Sequence, residues 1–468
     1  MLEGLEVSEV LKSDVEKISH YDRWDSQYYD KEFLQLFKQL KSIPTKKLGE
    51  ICSQINRNPM MYGFEYVASG VPFIRIDDLN NSAIDTSTSV YIDEATHKKF
   101  SSTHLLHKDI VMGVRGNTIG RLGLYLGEDN RANISPNCIY FRLKDILNAE
   151  IITIFLLSKF GQDQINHSTS GTGQPTITST EIYELMVPVF SNSFRRNITG
   201  LLKKFQKAGD STQEKCNQAE TLLLKTLGLV DYSPSTQHIN IKSFKDSFVT
   251  TGRLDAEYYQ PKYDELEAKI GKTHELIPLG SLLSLNQRGT QPDYADEGLP
   301  VINSKHVREG EVILSNNRFA NLPDKENSLV IQKGDVLING TGVGTIGRSA
   351  SYLHNQNAIP DNHVTILRTD KLNPIFLSVY LNSIAGKYQV DKYFKGSSGQ
   401  IELYPQDIDC FYVPLVDETI QTEIDALVRQ SFTLKAESEK LLAVAKRAVE
   451  IAIEQGENAG IAYIEANS

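Results

Sequence analysis

Asn192-Ser193-Phe194-Arg195-Arg196-Asn197-Ile198-Thr199-Gly200-Leu201-Leu202-Lys203-Lys204-Phe205-Gln206-Lys207-Ala208 opens the stretch that decides the fold. Its apolar positions Phe194, Ile198, Leu201, Phe205 and Ala208 step 4-3-4-3, the seam of a helix that packs along another helix. The other helix is written later in the same chain. Adding 226 to each number gives Ile420, Ile424, Leu427, Ser431 and Leu434, and Leu441, Ala445, Ala448 and Ala452 prolong the stripe. Ser191 and Asp417, both N-cap types, each follow a proline by three residues, Pro188 and Pro414. The expectation is a helix over 192–227 pairing antiparallel with one beginning near 418. The first is intrinsically the weaker, since Gly200 and Gly209 each cost about 1 kcal/mol relative to alanine.

Outward from the helices, the segments before them repeat as well. Arg23-Trp24-Asp25-Ser26-Gln27-Tyr28-Tyr29 returns as Arg253-Leu254-Asp255-Ala256-Glu257-Tyr258-Tyr259, and Leu48-Gly49 as Leu279-Gly280. Gly70-Val71-Pro72-Phe73-Ile74-Arg75 matches Gly298-Leu299-Pro300-Val301-Ile302-Asn303, each read as a turn leading into a buried strand. Lys108-Asp109-Ile110-Val111-Met112-Gly113 matches Gly334-Asp335-Val336-Leu337-Ile338-Asn339, and both run on to Thr-Ile-Gly-Arg at 118–121 and 345–348. Apolar helical segments at 151–159 and 374–383 follow, then Gly-rich polar loops at 170–174 and 396–400.

Offsets that stay between 221 and 231 residues along the chain are the mark of a duplicated domain, not of a solenoid. Strands and helices do not alternate as βα units, so the class is α+β. The expected arrangement is pseudo-twofold, with two mixed α/β units separated by two long antiparallel spacer helices. The segments are 1–190, the central helix 191–228, 229–415, and a C-terminal helix with its tail over 416–468. A helix over 192–227 spans ~54 Å, so units at its two ends would address sites roughly 15 base pairs apart.

The chain has 468 residues and a net charge of −10, a balance opposed to a protein that coats DNA through bulk electrostatics. Charge is distributed unevenly, however. Between Lys98 and Asp145 eight Lys and Arg stand against four acids, a local +4. Cys52, Cys138, Cys216 and Cys410 form no CxxC pair, so neither a zinc site nor a disulfide framework is indicated. No stretch is long enough to span a bilayer and no leader pattern opens the chain, as expected of a soluble cytoplasmic protein without a membrane partner.

In order and in repetition these motifs resemble the DNA specificity subunits of type I restriction-modification enzymes. The resemblance covers the chain from about Arg23 to Glu454. It rests on the Gly-x-Pro turns at 70–72 and 298–300, the Asp109 and Asp335 cassettes ending in Ile-Gly-Arg, and the Ser/Gly/Gln loops. It implies two target recognition domains, each reading one half of a split sequence in double-stranded DNA. It further implies that the chain holds no cofactor. S-adenosylmethionine and the adenine chemistry reside in docked modification methyltransferase subunits, and ATP and Mg in a motor-nuclease subunit if the system is type I. The Arg-x-Asp-x-x-Tyr-Tyr elements are also similar to specificity chains of type IIB-like enzymes, where a fused nuclease-methyltransferase would be the partner. A duplicated protein-protein scaffold without DNA readout is the alternative from another class.

Reading bases requires donors and acceptors on loops. In the first unit the candidates are Arg75, Asn80, Arg115, Asn117, Thr118, Arg121, Ser170, Thr172 and Gln174; in the second they are Asn303, Lys305, His306, Asn339, Thr341, Thr345, Arg348, Ser397, Ser398 and Gln400. Arg121 and Arg348 occupy matched positions and suit phosphate contacts or internal salt bridges, since a residue common to two half-sites discriminates little. On the helices, Phe194, Ile198, Leu201, Phe205, Ile420, Ile424, Leu427, Leu434 and Leu441 are the candidates for pairing and for docking the modification subunits.

Other motifs fail on context. Gly342-Val343-Gly344-Thr345-Ile346-Gly347 fits GxGxxG, but a strand, not a helix, is expected after it. Asn58-Pro59-Met60-Met61-Tyr62 lacks the second proline of an adenine methyltransferase loop. No GxxxxGK[ST] loop, metal-ligand spacing or Ser/His/Asp set occurs, so no catalytic or metal residue is assigned.

Overall fold

Continuously buried strands form the centre of each unit's main sheet, and an ion pair with a buried carboxylate braces each one. The computed structural model describes residues 30–58, 63–84, 86, 89–170, 175–237, 239–321, 329–396 and 401–468. The Arg23–Tyr29 element, Thr172, Gln174, Ser397, Ser398 and Gln400 lie outside them. The chain is mixed α/β and forms two compact units, Met1–Gly209 with Lys435–Ser468, and Asp210–Leu434. The four-segment division expected from sequence set the helices apart; here each long helix is divided between the units, because its seam belongs to their cores.

In the first unit the main sheet runs Cys52–Arg57, Cys138–Leu143, Ile110–Gly113, Leu122–Leu124 and Ser82–Ala83. The first three pairings are antiparallel and the last is parallel. Asp109, at the foot of Ile110–Gly113, is 1% exposed. Its carboxylate accepts two hydrogen bonds from Arg142, Nε at 3.0 Å and Nη2 at 2.7 Å, and a third from the Leu106 amide at 2.7 Å. Burial still outweighs the guanidinium and raises the carboxyl above its ordinary range. A second sheet orders Val90–Ile92, Val71–Ile74 and Asn133–Ile134.

Thr45–Lys47 pairs antiparallel with Met186–Pro188, so the unit's first and last strands lie side by side. Behind the main sheet, Ala149–Leu157 is buried on nearly every face, as its almost wholly apolar sequence requires. Lys159–His167 follows it, and buried Gln164 bonds both ways with the Met186 backbone, receiving at 2.9 Å and donating at 3.1 Å.

The second unit's main sheet runs Leu285–Arg288, Val364–Arg368, Val336–Asn339 and Ser349–Ser351, antiparallel throughout. Asp335 receives Arg368 Nε at 2.7 Å and Nη2 at 2.8 Å. Another sheet orders Tyr294–Ala295, Phe319–Ala320, Leu299–Ile302 and Ile359–Pro360. Leu276–Pro278 pairs antiparallel with Tyr412–Pro414. Pro374–Asn382 and Ile384–Tyr393 are the helices behind, and Gln389 bonds both ways with the Tyr412 backbone. Tyr258 meets Tyr393 edge-on at 5.6 Å, while Arg253 donates to Asp255 and to the Tyr393 and Phe394 carbonyls.

The central helix is continuous over Asn192–Thr226 despite its glycines, and the later one covers Glu418–Gln455. In the first unit Phe194 and Ala448 both lie against Gly460, whereas the Phe205 carbonyl accepts from Ser438 Oγ at 3.2 Å. Contacts that fall on one segment as they rise on the other mean the two run antiparallel there. The expected tail is a further helix, Glu457–Asn467, set off by Gly456 at φ 97°. Glu457 caps the start of the central helix: its Oε1 accepts the Ser191 amide at 2.7 Å, and Ser191 Oγ in turn accepts the Phe194 amide at 3.2 Å.

One expectation about the helices is corrected. Phe194, Ile198, Leu201 and Leu441 are buried in the first unit's core and Ile424 in the second's. Phe205, Ile420 and Leu427 pack against those cores, and Leu434 is half-buried. Side chains consumed in the chain's own interior are not a surface for modification subunits, which would have to use the outer faces. No helix among the described residues is long and apolar enough to cross a membrane.

Candidate nucleic-acid interface

Strand register brings several separated loops of the first unit to one rim. Arg57 ends its strand opposite Ile139, and Gly113 lies opposite Cys138 on the other side of the same central strand. Val114 donates to the Asn137 carbonyl at 3.0 Å and Ser135 to that of Ile74 at 2.8 Å, which carries Arg75 to the same end. Arg115 and Ser170 each bridge to Thr176, and the Gly116 amide bonds the Pro175 carbonyl at 2.9 Å. The rim thus assembles Arg57, Arg75, Arg115, Asn117 and Ser170.

Of the candidates there, Asn80, Asn117, Arg121 and Ser170 are exposed, and Arg75, Arg115 and Thr118 are half-buried. Arg75 Nε is buried without a hydrogen-bond partner. Thr118 staples its own turn, donating to the Arg115 carbonyl at 2.7 Å. Gly116 at φ 62° makes that turn possible in a conformation costly to most residues.

In the second unit Arg288 ends its strand opposite Thr365, Asn339 pairs with Val364, and Thr341 and Lys395 each bridge to Glu402. Arg288 donates to the Asn362 carbonyl at 2.7 Å and lies 3.4 Å from Glu402. Hydrogen bonding from Tyr404, then the Arg288 charge, hold the Glu402 carboxyl below its ordinary range. Thr341 Oγ1 is 2.7 Å from His363 Nδ1, and Thr345 donates back to the Thr341 carbonyl at 3.0 Å. Lys305 is exposed, and Asn303 and Arg348 are half-buried. The expected strand after Gly347 is present as Ser349–Ser351.

Two candidates are corrected. Asn339 is fully buried and donates to the Ser304 carbonyl at 3.1 Å, tying a loop to the sheet. His306 is 2% exposed, and its Nδ1 accepts the Asn303 amide at 3.1 Å. Neither can meet a base edge without unfolding its loop. Arg57 and Arg288, missed from sequence, sit at matched positions 231 residues apart; that recurrence was the available signal.

Burial, followed by the nearby Lys305 charge, lowers the His306 imidazole to about 4. The folded second unit therefore binds this proton more weakly than the unfolded chain does. Its stabilising contribution is complete above pH 6.5 and is lost as pH falls towards 4. Urea unfolding at pH 7 and pH 5 should show a loss on the order of 2 kcal/mol that His306→Gln removes. Equal pH dependence in the variant would refute this.

Residues 41–221 match the model of the family described as Type I restriction modification DNA specificity domain. No curated protein matches the sequence. Among solved structures the chain is similar to the S subunit of a type I restriction-modification system from M. genitalium, with 12% identity and a TM-score of 0.41 over 88% of this chain and 95% of that one. It is also similar to the HsdS subunit from Thermoanaerobacter tengcongensis, with 15% identity and a TM-score of 0.30 over 88% and 97%. The matched segment, 41–221, holds the Asp109 cassette and the whole first rim.

Proposed function

We propose that this chain is the non-catalytic, sequence-reading subunit of a restriction-modification complex. The two units are copies of one domain, and each reads one half of a split duplex sequence. The paired helices fix the gap between halves, and their outer faces dock modification methyltransferase subunits. Those subunits bring S-adenosylmethionine, and a motor-nuclease subunit brings ATP and Mg where the system is type I. One observation carries this reading: matched loops present different side chains. Arg115 and Thr176 stand in the first unit where Thr341 and Glu402 stand in the second. A shared frame with divergent tips is what two unequal half-sites require.

The test is selection from a pool of random duplexes by the chain assembled with its modification partner. Recovered duplexes should share two short fixed runs at a constant gap, bound on the order of a thousandfold more tightly than the starting pool. Recovery of duplexes without a common sequence would refute the reading.

A further inference from the structure

Arg57 and Arg115 are placed as a pair by the sheet. Arg57 ends the strand on one side of the start of Cys138–Leu143, and Arg115 lies two residues past the end of the strand on its other side. Arg57 Nη2 is buried and has no hydrogen-bond partner. The charge acting on the Arg57 guanidinium is that of Arg115; together with burial, the larger cause, it lowers the group's proton affinity. Neither arginine is in an ion pair with a described residue.

The second unit shows how such a guanidinium is otherwise satisfied. Arg288 has the Asn362 carbonyl and Glu402, and its neighbour is the uncharged Thr341. The first unit has Thr176 at the place of Glu402 and Arg115 at the place of Thr341. Carboxylate is removed and cation added at one spot. Two half-desolvated like charges oppose folding, and an anion between them reverses the sign. Two guanidinium forks match the oxygens of a phosphate.

We propose that Arg57 and Arg115 together grip one phosphate group, supplied by the backbone of the bound duplex. The ligand is a backbone phosphate and not a base, because arginine at position 57 recurs at 288 and carries little information about a half-site. This rests on the DNA-reading function proposed above, but the anion site can be tested apart from it.

Full-length wild type, Arg57→Gln and Arg57→Lys are compared in two measurements. The first is the dependence of duplex affinity on salt, measured with a mixed-sequence duplex on the chain assembled with its modification partner. Arg57→Gln should flatten the slope of log K against log salt by about 0.9 and weaken all sequences alike, while Arg57→Lys keeps the slope. The second is thermal melting with and without inorganic phosphate. Phosphate should raise the wild-type melting temperature and have less effect on Arg57→Gln, whose own melting temperature without phosphate is not below wild type. An unchanged slope together with unchanged phosphate protection overturns the proposal, as does a variant that is simply less stable with its slope intact. If wild type binds no duplex yet loses phosphate protection on Arg57→Gln, the anion pair stands and the DNA-reading function falls. If neither duplex nor phosphate acts on wild type, both fall.

Discussion

Asp109→Ala should destabilise the first unit by about 3 kcal/mol. The carboxylate is 1% exposed and receives three hydrogen bonds. Removing it leaves the Arg142 guanidinium in the sheet without its counter-charge and the Leu106 amide without an acceptor. The cost sits at the low end of the range for broken buried pairs because the Arg142 side chain is 21% exposed and keeps Gln54 and the His104 carbonyl. The double variant Asp109→Leu with Arg142→Met should recover much of the loss, since apolar replacement of both partners leaves no buried charge. Urea unfolding followed by circular dichroism measures this. A loss under 1 kcal/mol for Asp109→Ala would show that the pair does not hold the sheet. Arg368 and Asp335 make the same bidentate contact, and Asp335→Ala should cost the second unit a similar amount.

The two cassettes were legible in the sequence as repeats, and the central helix was read to within a residue, 192–227 against Asn192–Thr226. Both readings rest on local pattern: apolar spacing, a cap three residues after proline, and a motif that recurs. What local pattern does not carry is the partner of a polar side chain. Asp109 and Asp335 each find an arginine 33 residues on, Arg142 and Arg368, by strand pairing that no short window contains. Asn339 was read as a loop donor for the same reason; its register opposite Val364 buries it. The seam of the helices was correct as a seam, but only the folded cores reveal that it is occupied from within. Glu457 lies 266 residues beyond Ser191, so nothing near the central helix announced its cap.

The most direct test of a chain that reads DNA in two independent halves is an exchange of residues 42–190 for the same region of a related chain with another target. The structure favours such an exchange. Thr45–Lys47 and Met186–Pro188 are paired neighbours, so the replaced segment begins and ends at one place, and Ser191 with its Glu457 cap is retained. The retained helices meet the segment at few polar points, among them the Lys159 amide on Glu450 at 2.9 Å. Sequence preference over nonspecific duplex is typically worth about 4–10 kcal/mol, so moving it is a large effect. Measured by duplex selection with the modification partner, the hybrid should acquire the donor's half-sequence on one side, keep its own on the other, and leave the gap unchanged. A hybrid that folds but changes both halves, or neither, would contradict the account.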